Sequence, residues 1–522
     1  MFREPTEWRT LSLLAGLIIV ACLFRTLSWG QKSGAQSKSS SPLAIAKSQL
    51  EHGDIESSEK NLWNVLSVEP TNEQALVMLG TVRVRQQRYA EAEALFRRVL
   101  QFNPKSIIAS RDLAASLVAQ DRTDEAIRQY KDTIQLVPQD SALKIEVAGL
   151  DLARGNFADA LAALDTITPD RFPPGAIPLK AASLLGMDRR SDAEGLLPLV
   201  KGSPGAALEL AQVFVEANDP DAALKSLSFI NPAAKSVARV YYLRGRALRE
   251  KGDLAAAITS LRKALTADPK SVEALVAISE IFAAENKHAD SLEMLEKARV
   301  LAPDSAEVLR HLIVEAMHAG QNEKALSAAQ DLQRKSSELS DRYLVASVML
   351  QQKHYLPASH ILEEYIAQRP DDAKAYLGLG IAYLNLLRYS DARQALEHSL
   401  RLKPDLAETE YQLGLLFAQQ GNREEAIQAW EKAVSLQPHH AQALFSLGTM
   451  YLEARELEKA HNAFARSLAE DPNNMKTEYD LALVLNKLGN SQEAKEHFER
   501  YRKMQGEEHS TSGNPPEAAD HP

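Results

Sequence analysis

The sequence predicts an all-α protein, a stack of about fourteen helical hairpins, and three observations predict it. First, a small residue returns at near-constant distance: Ser58, Ala92, Ala126, Ala160, Ala193, Ala223, Ala257, Ser291, Ala325, Ala358, Ala392, Ala426, Ala460 and Ala494. The step is 34 (92 − 58) except for 33 and 30 on either side of Ala193 and 33 before Ala358. A period near 34 marks a stacked helical array, a solenoid. Second, apolar residues inside each period fall at helical spacing, as Tyr376, Leu379 and Tyr383 do on one stripe. Third, prolines recur at that same step, at 70, 104 and 138, at 269 and 303, and at 404, 438 and 472. Each ends a helix, because proline lacks an N–H and clashes with the preceding turn.

The elements follow in chain order. Leu11 to Phe24 is an uninterrupted, charge-free apolar run. It is short for a bilayer, which needs about 20 residues. Trp8 and Trp29 bracket it at a separation of 21 residues, about 31 Å of helix, with tryptophans where interfacial belts form. Residues 1–29 are therefore read as a single transmembrane anchor helix. Two other readings stand beside it. Ile19-Val20-Ala21-Cys22 resembles the lipobox of bacterial lipoproteins, with Cys22, the only cysteine, as the lipidated residue; a plain cleaved signal is the third. Basic residues flank both ends (Arg3 and Arg9, then Arg25, Lys32 and Lys38), so charge does not set the orientation. Residues 30–42 are small and polar, a flexible tether.

Residues 43–168 form a regular first array and 236–503 a longer second one. One unit shows the plan. In 373–404, Gly380 interrupts the first stripe, where a missing side chain lets a second helix approach. After a break near Arg388–Ser390, Ala392, Leu396 and Ser399 make a second stripe that Pro404 ends. Leu413, Gly414, Phe417, Ala426, Trp430 and Pro438 repeat the pattern, as do Leu447, Gly448, Tyr451, Ala460, Phe464 and Pro472. Between the two arrays, 169–235 is Pro-rich and its spacing shrinks. Two readings are open for it: a bent or loosely packed joint, or rigid units whose sequence has drifted. The last unit carries Glu478, Lys487, Lys495, Glu496 and Lys503, a polar loading suited to a cap. The tail, 504–522, lacks core residues and is expected to be disordered.

Over residues 39–503 this pattern resembles the tetratricopeptide repeat, whose units carry small residues at their eighth and twentieth positions and proline at the thirty-second. The resemblance implies a right-handed superhelical solenoid whose inner wall is lined by the first helix of each hairpin, and a function in binding proteins or peptides. It places fifth positions on that wall. Tyr411, Phe445 and Tyr479, each one period from the next, and Tyr242 in an earlier unit are candidate partner-binding aromatics, with Arg239 and Arg246 (and Arg249 beyond them) as a basic stripe. Two readings stand for each group: rings that grip a peptide or rings that fill the core, and a stripe that meets carboxylates or a solvated face. Family members that clamp carboxylate termini use lysine, arginine and asparagine in the groove. Arg111 and Arg310 occupy fifth positions, but Ala115 and Val314 replace the asparagine. The asparagine ladder of the O-glycosyltransferase arrays is absent too, its places taken by Gly378, Gln412, Ser446 and Asp480.

Composition narrows the function. With 60 basic against 70 acidic residues the formal charge is −10, which argues against nucleic acid as the main ligand. One cysteine excludes an intramolecular disulfide framework or a cysteine zinc site. No phosphate loop, dinucleotide fingerprint, zinc-protease helix or nucleophile elbow occurs, so neither cofactor nor catalysis is expected. His439–His440 and the pair His311/His318 read as solvated helix ends in preference to metal ligands. The sequence thus points to a membrane-tethered interaction scaffold. The place it suggests is a bacterial inner membrane with the array in the periplasm, a lipoprotein or exported protein being the alternative. Its role would be envelope assembly or secretion, with an accessory subunit of polysaccharide or lipid export, binding a glycan or synthase, as the rival.

Overall fold

The computed structural model describes residues 41–231 and 237–512. The apolar run at 11–24, Cys22 and most of the tether lie outside the described residues. Among those described, no helix is long and apolar enough to cross a membrane. The described chain is all helical, 28 helices in consecutive helix-turn-helix repeats. It divides into two compact units, one ending at Ile281 and the other beginning at Phe282.

The first helix, Pro42–Glu51, starts at the end of the predicted tether, where Ser41 accepts from the Ala44 N–H and Pro42 needs no donor. Many later first helices begin likewise: Asn72, Asp140 and Asn474 cap helices just after the repeat prolines 70, 138 and 472. Each hairpin then turns through one left-handed residue. The series Gly53, Gln87, Asp121, Gly155, Asp188, Asn218, Gly252, Asn286, Gly320, Lys353, Leu387, Gly421, Arg455 and Gly489 repeats the spacing of the small residues. All fourteen have positive φ, yet only six are glycine. Turn geometry is held by hairpin packing where the residue itself disfavours it.

The small positions lie where the hairpin helices cross: from Ser58 to Ala494 all fourteen are buried, at 0–1% exposure. The eighth-position glycines have a matching reason. A Cβ at Gly80 would lie 2.5 Å from the Phe96 ring, one at Gly448 2.6 Å from Phe464, and one at Gly414 would overlap Trp430. The large residue of the second helix occupies the space the glycine leaves, and Phe96 and Phe464 are wholly buried as a result.

Among the described residues the Pro-rich stretch is packed, as rigid units would be. Pro178, Pro204 and Pro220 sit in the first turn of helices Ile177–Gly186, Pro204–Glu216 and Pro220–Leu227, where a missing N–H costs nothing. The step of 30 falls short of 34 by about one helical turn. The shortening falls in a second helix that stops at Arg190–Glu194 and finishes as a 3-10 turn, Leu197–Val200. Leu197, Val200, Leu210, Phe214 and Leu227 nevertheless join one buried cluster that reaches from Ala148 to Ala247.

The carboxy-terminal boundary differs from the expected one. The final helix runs from Ser491 to Ser512, well past the predicted end of order at 503. Once a packed first half has met the cost of nucleation, each added residue gains a hydrogen bond for little more.

Candidate interaction surface

Within each unit the first helices form the closer-packed wall. Glu73–Arg85 touches Ile107–Val118 in the first unit, and Leu339–Gln351 touches Ala373–Asn385, which touches Ala407–Gln419, in the second. Among the described residues, comparable packing between successive second helices occurs only in the shortened hairpin, where Leu197–Val200 touches Pro220–Leu227. Stacked pairs that approach more closely on one layer curve toward it, so the first helices line the inner side of each unit.

On that side the second unit presents aromatic rings. Tyr411 and Phe445 are half-buried and Tyr479 is 40% exposed. Each ring is anchored by its surroundings. Tyr411 lies 4.9 Å from the His440 ring, and its carbonyl accepts from the Trp430 indole at 3.1 Å. Phe445 packs 5.7 Å from Phe464, with the Lys476 ammonium 4.9 Å from its centroid. Tyr479 meets Phe498 at 5.8 Å and Tyr501 at 5.2 Å. Burial pushes the Tyr411 phenol above its ordinary range. These rings are therefore part wall and part surface. Tyr343, two periods before Tyr411, continues the series and is half-buried, 5.5 Å from Tyr365. Its sequence signal was that double period, masked because the intervening unit has Leu377 at that place and its tyrosine one residue earlier.

The first unit differs. Arg239, Tyr242 and Arg246 are brought together there, with the Arg239 guanidinium 5.3 Å from the Tyr242 ring. They do not form an open basic stripe. Arg239 donates to Gln212 Oε1 at 2.6 Å, and Gln212 donates to Glu216 at 2.9 Å. Arg246 faces Glu216 and Glu250, and Arg249 is paired with Glu280. Arg239, itself exposed, is met by an amide, and Arg246 and Arg249 by carboxylates of their own chain. Burial raises the pKa of Glu146, Glu216 and Glu250, and each has one oxygen shut from water without a hydrogen-bond partner. Asp112 is pushed up to about 6 by burial, partly offset by Arg111 at 3.6 Å.

The remaining candidates have local partners. Arg310 holds buried Asp341 through two bonds, at 2.5 and 2.9 Å, and also pairs with Glu338. Burial raises the Asp341 pKa, but the bonds from Arg310 outweigh it and leave a net lowering. His440 is buried, not a solvated end: its ring caps the Ala443 N–H at 3.3 Å and lies 3.3 Å from Glu408. His318 stacks on His288 at 5.2 Å. Among the described residues, no group of three or more His, Cys, Asp or Glu side chains is placed to hold a metal ion.

Two tetratricopeptide-repeat family models match along the chain, one over residues 43–107, 208–272 and 411–475, the other over 117–182, 248–310 and 349–415. The chain belongs to the tetratricopeptide repeat family. Such repeats are typically non-catalytic and imply a protein-interaction scaffold. Among curated proteins, the chain is 27% identical over 225 residues to a BBSome complex member BBS4 homolog of Drosophila melanogaster, covering 43% of this chain and 40% of that protein. It is 23% identical over 278 residues to the cellulose synthase operon protein C of Pseudomonas fluorescens, covering 50% of this chain and 20% of that protein. The chain thus spans less than half the length of each. Among solved structures, the Cut9–Hcn1 hetero-tetramer of the APC/C aligns with 90% of this chain and 99% of its own at 17% identity and TM-score 0.38. YrrB, a TPR protein with an unusual peptide-binding site, aligns with 36% of this chain and 96% of its own at 19% identity and TM-score 0.31.

Proposed function

We propose that this chain is a membrane-tethered scaffold that binds apolar peptide segments of partner proteins on the inner side of its second unit. One observation carries the reading: Tyr411, Phe445 and Tyr479 stand one repeat apart on the first-helix wall, the first two half-buried and the third exposed, each packed against another ring. Rings already packed on His440, Phe464 and Phe498 lose little freedom on binding and offer apolar area with stacking faces. The tether rests on the apolar run at 11–24 and its flanking tryptophans, and it supports a place in the cell envelope, in assembly or secretion. The relation to a cellulose synthase operon protein favours a second reading, an accessory subunit of polysaccharide export; the same rings would stack on sugars.

A peptide array and a glycan array probed with the full chain separate the two. The wild type is expected to capture apolar peptides. Joint substitution of Tyr411, Phe445 and Tyr479 by alanine is expected to weaken capture at least tenfold, because interface aromatics often contribute about 2 kcal/mol or more each. Undiminished peptide capture by the folded triple variant would move the binding surface elsewhere, and capture of glycans alone would favour the export reading.

A further inference from the structure

Three successive troughs between second helices of the second unit are each filled by an aromatic ring, and the one after them is not. Tyr383, Phe417, Tyr451 and Leu485 stand one period apart on four first helices. The Tyr451 ring lies between helices Arg423–Leu436 and Leu457–Glu470: its hydroxyl donates to Glu431 on one at 2.7 Å, and Lys459 on the other lies 5.3 Å from its centroid. Tyr383 repeats this with Glu363 at 2.6 Å and the Arg388 guanidinium 4.2 Å from the ring. Phe417 has Arg393 at 5.6 Å. Each trough is closed by an aromatic ring carrying a cation.

One period further, all three parts of the Tyr451 arrangement change. Leu485 replaces the tyrosine, Ala465 replaces Glu431, and Glu493 replaces Lys459. The consequence is an open cleft of about 500 Å³ between helices Leu457–Glu470 and Ser491–Ser512, floored by Met475–Lys487. Its apolar floor is Leu468, Leu481 and Leu485. Its polar lining includes His461, one turn before Ala465, and buried Glu478, 2% exposed, which holds the His497 ring at 2.5 Å.

We propose that this cleft is a docking site for a tyrosine flanked by a basic residue, presented by a partner polypeptide. The internal copies define the occupant: Tyr383 and Tyr451 show what the same trough accepts. The changed residues define its neighbour: in the Tyr383 trough the residue equivalent to Glu493 is Asp391, which holds the Arg388 guanidinium over the ring, whereas here Asn490 stands in place of that arginine and the exposed Glu493 carboxylate calls for a cation from outside. Ala465 removes the carboxylate that receives the phenol, and His461 on the same helix face stands ready to bond it. The site lies among second helices, outside the surroundings of the inner-side ring Tyr411.

Leucine methyl spectra of the full chain, titrated with acetyl-Gly-Lys-Tyr-Lys-Gly-amide and with the same peptide carrying alanine for tyrosine, test this. The tyrosine peptide is expected to shift the methyls of Leu468, Leu481 and Leu485 in a saturable way, and the alanine peptide to leave them in place. Leu485→Tyr combined with Ala465→Glu rebuilds the closed trough and is expected to reduce affinity at least tenfold. Unmoved methyls, equal shifts with both peptides, or full affinity in a folded double variant would overturn the proposal. Tyr411→Ala alone, whose ring packs on His440 outside this cleft, is expected to weaken inner-side capture and to bind this peptide as the wild type does, so either site can fail without the other.

Discussion

The two units use one backbone plan for two chemistries. On its inner side the first unit carries Arg111, Asp112, Glu146, Glu216, Arg239, Arg246 and Glu250, most of them half-buried and with opposite charges facing one another. The second carries Tyr343, Tyr411, Phe445 and Tyr479, braced against their hairpins. The small residue, the left-handed turn and the capped first helix recur in both units. The difference teaches that the repeat fixes where helices cross, and leaves the inner wall free to vary because wall positions do not carry the crossing.

That comparison breaks if the units differ in packing as well as in chemistry. Phe214 in the Pro-rich stretch and Phe464 in the regular second unit are both wholly buried. Phe214→Ala and Phe464→Ala are each expected to cost about 3–5 kcal/mol, read by hydrogen exchange in the hairpin that holds each. A loss below about 1 kcal/mol at Phe214 alone would mark the Pro-rich stretch as loose and return the joint reading. A smaller effect is expected at the shared small position. Ala426→Leu must force the helices of its hairpin apart, at about 1–3 kcal/mol by overpacking, and Ala126→Leu in the first unit is expected to match it. Unequal losses, beyond a factor of about two to three for context, would show that the crossing itself differs between the units.

The smallest effect sharpens the chemical difference. Asp112, Glu146, Glu216 and Glu250 have pKa values raised by burial, so in the folded state they hold protons that an unfolded chain would release. Their stabilising contribution is complete below the unfolded carboxylate range and fades as pH rises through the folded values, near 6 for Asp112. Hydrogen exchange in Ile107–Val118 and Ser141–Ala153, corrected for intrinsic rate, should therefore show more protection at pH 5 than at pH 7.5. Ala407–Gln419 in the second unit is the internal control. Equal change in all three helices would remove the distinction.

Much of the fold was legible in the sequence, because every repeat imposes the same steric demand. Two helices that cross at a fixed point need a residue without bulk there, so Ala92 through Ala494 announced hairpins, crossing points and period before any coordinate was known. Proline spacing marked the ends for the same reason, since its backbone limits act locally. What the sequence left undecided depended on neighbours distant along the chain. Non-glycine residues such as Leu387 and Arg455 adopt left-handed turns because the packed hairpin requires it. Prolines 178, 204 and 220 start helices where their pattern had suggested breaks. Arg239 and Arg246 read as a free basic stripe until tertiary structure supplied Gln212, Glu216 and Glu250 as partners. The cleft beside Leu485 emerged in the same way. A leucine among leucines carries no signal of its own, and only the helices on either side determine whether the space beside it is filled.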